Sequence, residues 1–275
     1  MDLSFSVVIP SYNGKEFLRE DLLALRHSQV KPRKIIIVDD FSSDGTFKML
    51  QNEFPEVLVI RNEKNLGPTA SRNRGAKLAE GKYILFLDND VLVKPDAIEK
   101  LLKFLESNSA VAITGGLLVT EQGTLMRWNF GPRRTRFFDE PIGFLFGLIN
   151  LDEFSLRFSF NYWEKNRSLE VGWTVEGFFL VRRELFEKVG GFDEGFFMFF
   201  EGPDLSERFR KIGYKTYFCH KAIATILDSH THSPSRRRTM FVQGRNLYYQ
   251  KYFGKTNTQP WLAILGRILS DKNFR

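Results

Sequence analysis

Two carboxylates, Asp88 and Asp90, close the apolar run YILFL, with Asn89 between them. At i and i+2 on an extended segment they point to the same face. At a strand end, where the chain turns, both can reach a hard divalent cation or its waters. Mg²⁺ and Mn²⁺ take oxygen ligands, often few from protein, and substrate phosphates supply others. The pair therefore suits a metal–diphosphate site. The competing reading is a turn into the helix after Pro95, with Asp96 supporting its first turn. A second acidic pair, Asp39 and Asp40, ends the β-branched run KIIIVDD, and Asp44 follows in the same loop. His230 and His232 alternate along DSHTHSPS and would share one face of an extended segment.

The elements that must position these groups are legible in the first hundred residues. FSVVIPSY, KIIIVDD, VLVIRN and YILFL are apolar runs of strand length. Between them, KEFLREDLLALRHS has helical spacing, SDGTFKMLQNEF turns and becomes helical, and PTASRNRGAKLAE predicts a further helix. This βαβα order indicates an α/β fold with a mainly parallel sheet and helices on both faces. Three strands end in polar clusters, PSYNG, VDDFSSDG and LDND. Ligands of open α/β sheets bind beyond the carboxyl ends of the strands, so these clusters should form one site. The glycine fingerprints G-x-G-x-x-G and G-x-x-x-x-G-K-[ST] are absent. Beyond Leu105, residues 111 to 170 show weak periodicity. FFLVRRELFEKVGGF then resumes strand and helix, PDLSERFRKIGY predicts a short helix, and YKTYFCHKAIATIL one or two strands. The tail from Arg236 reads as helical, basic and aromatic.

Composition is that of a globular protein, with 43% hydrophobic and 27% charged residues. One cysteine, Cys219, excludes an intrachain disulfide and Cys-rich zinc sites and favours a reducing, cytoplasmic location. No signal peptide is read at the N-terminus, and no apolar run approaches the roughly 20 residues of a spanning helix. PIGFLFGLINL and PWLAILGRIL are long enough only to lie on a membrane surface. The formal charge is +7, with basic clusters at Arg133–Arg136 and Arg236–Arg238. An anionic partner or a solvated face would each account for them. A nucleic-acid partner rests on charge alone, and the acidic strand ends argue against it.

SVVIPSYNG, IIIVDDFSSDGT, NLGPTASRNRGAKLAEGKYILFLDND and GFDEGFFMFFEGPDLSERFRKIGY occur in that order. Together they resemble the family 2 glycosyltransferases of GT-A fold, over nearly all of residues 4 to 250. The likeness is nearest to the bacterial rhamnosyltransferase-like branch. It implies a GT-A domain over residues 1–235, with a nucleotide-sugar half to about 105 and an acceptor half from 106. A helical extension over 236–275 would follow. It implies that Pro10, Tyr12 and Asn13 border the nucleotide and that Asp39 reads the base. Asp40 and Asp44 have turn roles as an equal alternative. Gly67, Arg72 and Asn73 would flank the donor, and Asp88 and Asp90 hold Mn²⁺ or Mg²⁺ on the diphosphate. His232 or His230 would add a metal ligand or diphosphate contact, and Arg245 a phosphate contact. Trp173, Glu176 and Gly177 would line the acceptor side, with core packing the alternative for Trp173.

The resemblance breaks at one place. The family commonly shows E-D-x-D at its base motif, and this chain reads Glu201, Gly202, Pro203, Asp204. Asp204, then Glu201, is the expected substitute base, with Pro203 starting the helix that holds Asp204. The implied activity is inverting, metal-dependent transfer from a UDP- or dTDP-sugar to a saccharide or lipid-linked saccharide in surface polysaccharide synthesis. The protein would sit peripherally on the anionic inner face of the plasma membrane. The alternative is a nucleotide-sugar-binding protein that has lost catalysis.

Overall fold

The computed structural model describes residues 2–126, 129–131, 167–227 and 233–254. The first strand, β1 (Phe5–Ser11), leads through α1 (Lys15–Arg26) to β2 (Lys34–Asp39). Then come α2 (Thr46–Glu53), β3 (Leu58–Arg61), α3 (Pro68–Ala76), β4 (Tyr83–Leu87), β5 (Val91–Val93) and α4 (Ala97–Glu106). The second half holds β6 (Val111–Thr120), β7 (Phe130–Gly131), β8 (Leu169–Val171), β9 (Trp173–Thr174) and β10 (Phe178–Arg182). The remaining described elements are α5 (Arg183–Lys188), α6 (Glu201–Lys211), β11 (Lys215–Ile226) and α7 (Pro234–Phe253).

The sheet order is β3-β2-β1-β4-β10-β6-β11-β5, with β8 also on β11. The first four strands are parallel, as their continuous apolar runs require. Beyond them the sheet is mixed, because β10 runs antiparallel to both β4 and β6. Alternate side chains feed two cores. Val7, Ile9, Ile37 and Leu85 pack with Leu18, Leu22 and Leu101 from α1 and α4. Val8, Ile36, Ile84 and Phe86 pack on the other face with Phe186, Leu205 and Phe209 from α5 and α6.

Two elements depart from expectation. Residues 111–120, weakly periodic in sequence, form the central strand β6, because eight of its ten residues are buried and so show no alternation. YKTYFCHKAIATIL, expected as one or two strands, is a single strand, broken in register between Cys219 and Ile223. Helix α6 begins at Glu201, so Pro203 sits inside its first turn instead of starting the helix. That turn lacks intrahelical partners for its N–H groups, so proline is tolerated there.

Candidate active site

The carboxyl ends of β1, β2 and β4 lie side by side in the order given by the parallel pairing. Asn13, at φ 50°, clamps the first loop to the second. Its Oδ1 accepts from Ser43 N at 2.8 Å, and its own N–H donates to Ser42 Oγ at 3.0 Å. Pro10 is buried in β1, Tyr12 is half-buried and Asn13 is exposed. Asp39 is fully buried; Oδ1 accepts from Ser42 N, and Oδ2 pairs with Arg61 Nε at 3.3 Å. Asp40 and Asp44 have turn roles. Asp40 accepts from the backbone N–H of Leu66 and Gly67, both at 2.8 Å, and so shapes the entry to α3. Asp44 accepts from Lys15 N and Thr46 N, both at 3.0 Å, and so ties α1 to the start of α2.

Next to this edge, α3 supplies a buried cation. Arg72 donates to Asp88 Oδ1 at 2.6 Å and to Glu201 Oε1 at 3.0 Å. Asn73, one residue on, brackets the loop before α6 through Phe192 and Glu194. Asp88 follows β4 directly, and its N–H donates to Gly177 O at 3.0 Å. A side chain at 177 would begin 2.8 Å from Asp88 Oδ2, so the glycine lets β10 approach the acidic turn. Glu176, half-buried, accepts from Gly202 N at 2.8 Å with Oε1. The carboxylate is thereby held at the positive end of α6.

The charges at this corner are unbalanced. Burial first, then Glu201, pushes the Glu176 carboxyl up to about 8, against the pull of Arg72. Burial also raises Glu201, and Arg72 offsets part of the effect. A further carboxylate, missed in the sequence because it falls in a helical apolar pattern, is Asp21 of α1. It is fully buried, and neither oxygen has a hydrogen-bond partner. Burial raises its pKa well above the usual range, and the charges of Asp90 and Asp88 add to the effect.

These residues fit a divalent cation. Asp88 and Asp90 are half-buried oxygen donors in one short turn at the carboxyl end of β4. Among the described residues no three His, Cys, Asp or Glu side chains form a ready metal cage. Mg²⁺ or Mn²⁺ with two carboxylates would complete its shell from waters and phosphates. His230 and His232 lie outside the described residues, as do Arg133–Arg136 and the two short apolar segments.

The remaining expected residues are placed apart from this cluster or are closed off. Asp204 is fully buried in α6: Oδ2 accepts from Arg208 Nε at 2.8 Å, and Oδ1 meets Lys251 Nζ at 2.6 Å and Tyr252 Oη at 2.8 Å. It therefore ties α7 to α6. Glu201 is buried against Arg72. Trp173 is buried on β9, and its indole packs over Gly131 of β7. Arg245 is carried by α7 and donates to neighbouring Asn246.

Comparison with known proteins agrees with this geometry. The family model "Glycosyl transferase family 2" matches residues 6–190, more than half of the chain. A putative teichuronic acid biosynthesis glycosyltransferase, TuaG of Bacillus subtilis, is 36% identical over 123 residues, covering 43% of this chain and 49% of that protein. The chain thus spans about half the length of that relative. An N-acetylglucosaminyl-diphospho-decaprenol L-rhamnosyltransferase of Mycobacterium tuberculosis is 26% identical over 259 residues, covering 86% of this chain and 82% of the other. The fold matches that of GalNAc-T7, solved with UDP, GalNAc and Mn²⁺, with TM-score 0.61 at 19% identity over 96% of this chain and 48% of that one. It also matches the mannosyltransferase PcManGT of Pyrobaculum calidifontis, solved with GDP-Man and Mn²⁺, with TM-score 0.61 at 16% identity over 99% and 76% of the two chains. With the GT-A sheet, the acidic turn after β4 and the family match in agreement, the chain belongs to glycosyl transferase family 2.

Proposed function

We propose that the protein is a metal-dependent, inverting glycosyltransferase. It moves a sugar from a UDP- or dTDP-sugar to a saccharide or lipid-linked saccharide in surface polysaccharide synthesis. The observation that carries this reading is the half-buried Asp88–Asp90 turn beside the β1 and β2 ends, with Arg72 paired to Asp88. Pro10, Tyr12, Asn13 and Asp39 border the nucleoside on the β1–β2 side. Gly67, Arg72 and Asn73 shape the wall next to the diphosphate. Asp88 and Asp90 would hold Mn²⁺ or Mg²⁺, which when bound supplies positive charge for the leaving diphosphate. Arg72 positions Asp88, and Glu176 and Gly177 form the acceptor side, while Trp173 takes the core-packing role. Asp90→Ala is expected to abolish the metal-dependent part of UDP or dTDP affinity. Calorimetry with and without Mn²⁺ measures it, and an unchanged metal response would sink the assignment.

Gly202 favours a second reading, a protein that binds a nucleotide sugar without transferring it. Release of UDP or dTDP from sugar donors with Mn²⁺ separates the two.

We also propose a peripheral membrane location on the inner face. Arg236, Arg237 and Arg238 are exposed in the first turns of α7. Among the described residues no helix is long and apolar enough to cross a membrane. Attraction to anionic lipid is worth about 1 kcal/mol for each basic residue near the surface and is screened by salt. The protein is expected to float with phosphatidylserine-containing vesicles at low salt and to be released at high salt. Failure to float at low salt would refute the location.

A further inference from the structure

We infer that Glu176, on the segment before β10, is the base that takes the proton of the acceptor hydroxyl, its carboxyl occupying the space of the side chain that residue 202 lacks. This rests on the glycosyl-transfer reading and assigns its missing proton acceptor.

The geometry is specific. A Cβ on Gly202 would lie 2.6 Å from Glu176 Cδ and closer still to Oε1. The start of a 202 side chain and the Glu176 carboxyl therefore compete for one volume, and the chain fills it from β10's side. The first turn of α6 then orients the carboxyl through the Gly202 N–H. Such a fixed hydrogen bond preorganises a base.

The other nearby carboxylates are less suited. Asp204 is fully buried with both oxygens engaged, and Glu201 is buried and paired with Arg72. Glu176 is half-buried and bonded through Oε1. The next residue, Gly177, packs against Asp88, which places Glu176 between the acidic turn and α6.

In the step, the acceptor oxygen bonds to the anomeric carbon while its proton passes to a Glu176 carboxylate oxygen. The bond from the anomeric carbon to the phosphate oxygen breaks, and its electron pair leaves with the nucleoside diphosphate. The proton on Glu176 returns to solvent before the next turnover.

The test compares wild type, Glu176→Gln, Glu176→Ala and the double variant Glu176→Ala/Gly202→Asp. Turnover is read as UDP or dTDP release from a panel of UDP- and dTDP-sugars with Mn²⁺, with pooled saccharides and with water alone as acceptor. UDP–Mn²⁺ calorimetry and thermal melting accompany each variant. Glu176→Gln is expected to lower kcat about 100-fold or more with UDP affinity nearly unchanged. The double variant, which returns a carboxylate to the same volume from α6, is expected to exceed Glu176→Ala by about tenfold. Full turnover by Glu176→Gln would overturn the assignment. So would a loss matched by lost UDP affinity, the mark of a structural role. A double variant that binds UDP but gains nothing over Glu176→Ala would overturn the shared position. A wild type that binds UDP and releases none from any donor would instead overturn the transferase reading itself.

Discussion

Replacing Arg72 with leucine is expected to destabilise the protein by about 3–5 kcal/mol, the usual cost of leaving a buried ionic partner alone. Arg72 is 3% exposed and stands between Asp88 and Glu201. Burial opposes its charge, while Asp88, Glu201 and Glu176 favour it. Removing it leaves buried acids facing each other across a gap too apolar to screen them. The loss should grow with pH. Glu176 and Glu201 have raised folded-state pKa values, so between the unfolded carboxylate range and about pH 8 the folded protein holds protons that the unfolded chain has released. Stability contributed by those protons is complete below that window and falls as pH rises through it. Leucine at 72 raises both groups further and steepens the fall. Urea unfolding at pH 5 and pH 8 measures this, and the deficit should be larger at pH 8. An equal deficit at both values would show that lost packing, not lost charge, dominates. Mn²⁺ with UDP should bind more weakly to this variant, because Asp88 loses the guanidinium that positions it.

Replacing Asp204 with alanine is expected to cost a similar amount, about 3–5 kcal/mol, by a different route. Its carboxylate holds Arg208 of α6 and both Lys251 and Tyr252 of α7. The Lys251 ammonium also reaches Asp193 at 2.6 Å, so one side chain pins the last described helix to two places. Beneath it, Phe196 and Phe200 pack on Tyr248 and Tyr249. Without Asp204, α7 should loosen before the sheet unfolds, and limited proteolysis should cut at α7 while β1–β4 stay intact. Asp204→Asn should be milder, because Arg208 and Lys251 are partly exposed and can recover water. The same variant separates a tie from a base. A folded Asp204→Asn protein that keeps its turnover identifies a tie, and one that loses about 100-fold with normal UDP affinity identifies a base.

Much of the nucleotide half of the fold was legible from local pattern. Strands buried on both faces must be apolar throughout, so SVVIP, KIIIV and YILFL could be placed without a structure. Amphipathic spacing set α1 between the first two of them and a helix, α4, after the last. Polar residues at the strand ends then had to share an edge, because parallel strands end together. The sequence alone thus determined the α/β class, the Asp88–Asp90 turn and the absence of a side chain at 202. It did not show what compensates for that absence. Glu176 is 26 residues from Gly202 along the chain, and the two meet only because β10 runs antiparallel beside β4 and begins next to the first turn of α6. Asp21 was hidden for the same reason, since a carboxylate on a helix reads as exposed until the packing of α1 buries it. Asp204 read as a base until α7 folded back over it. In each case a charge takes its role from what surrounds it in space, because burial and the nearest partner set its energy, and neither is a property of adjacent residues.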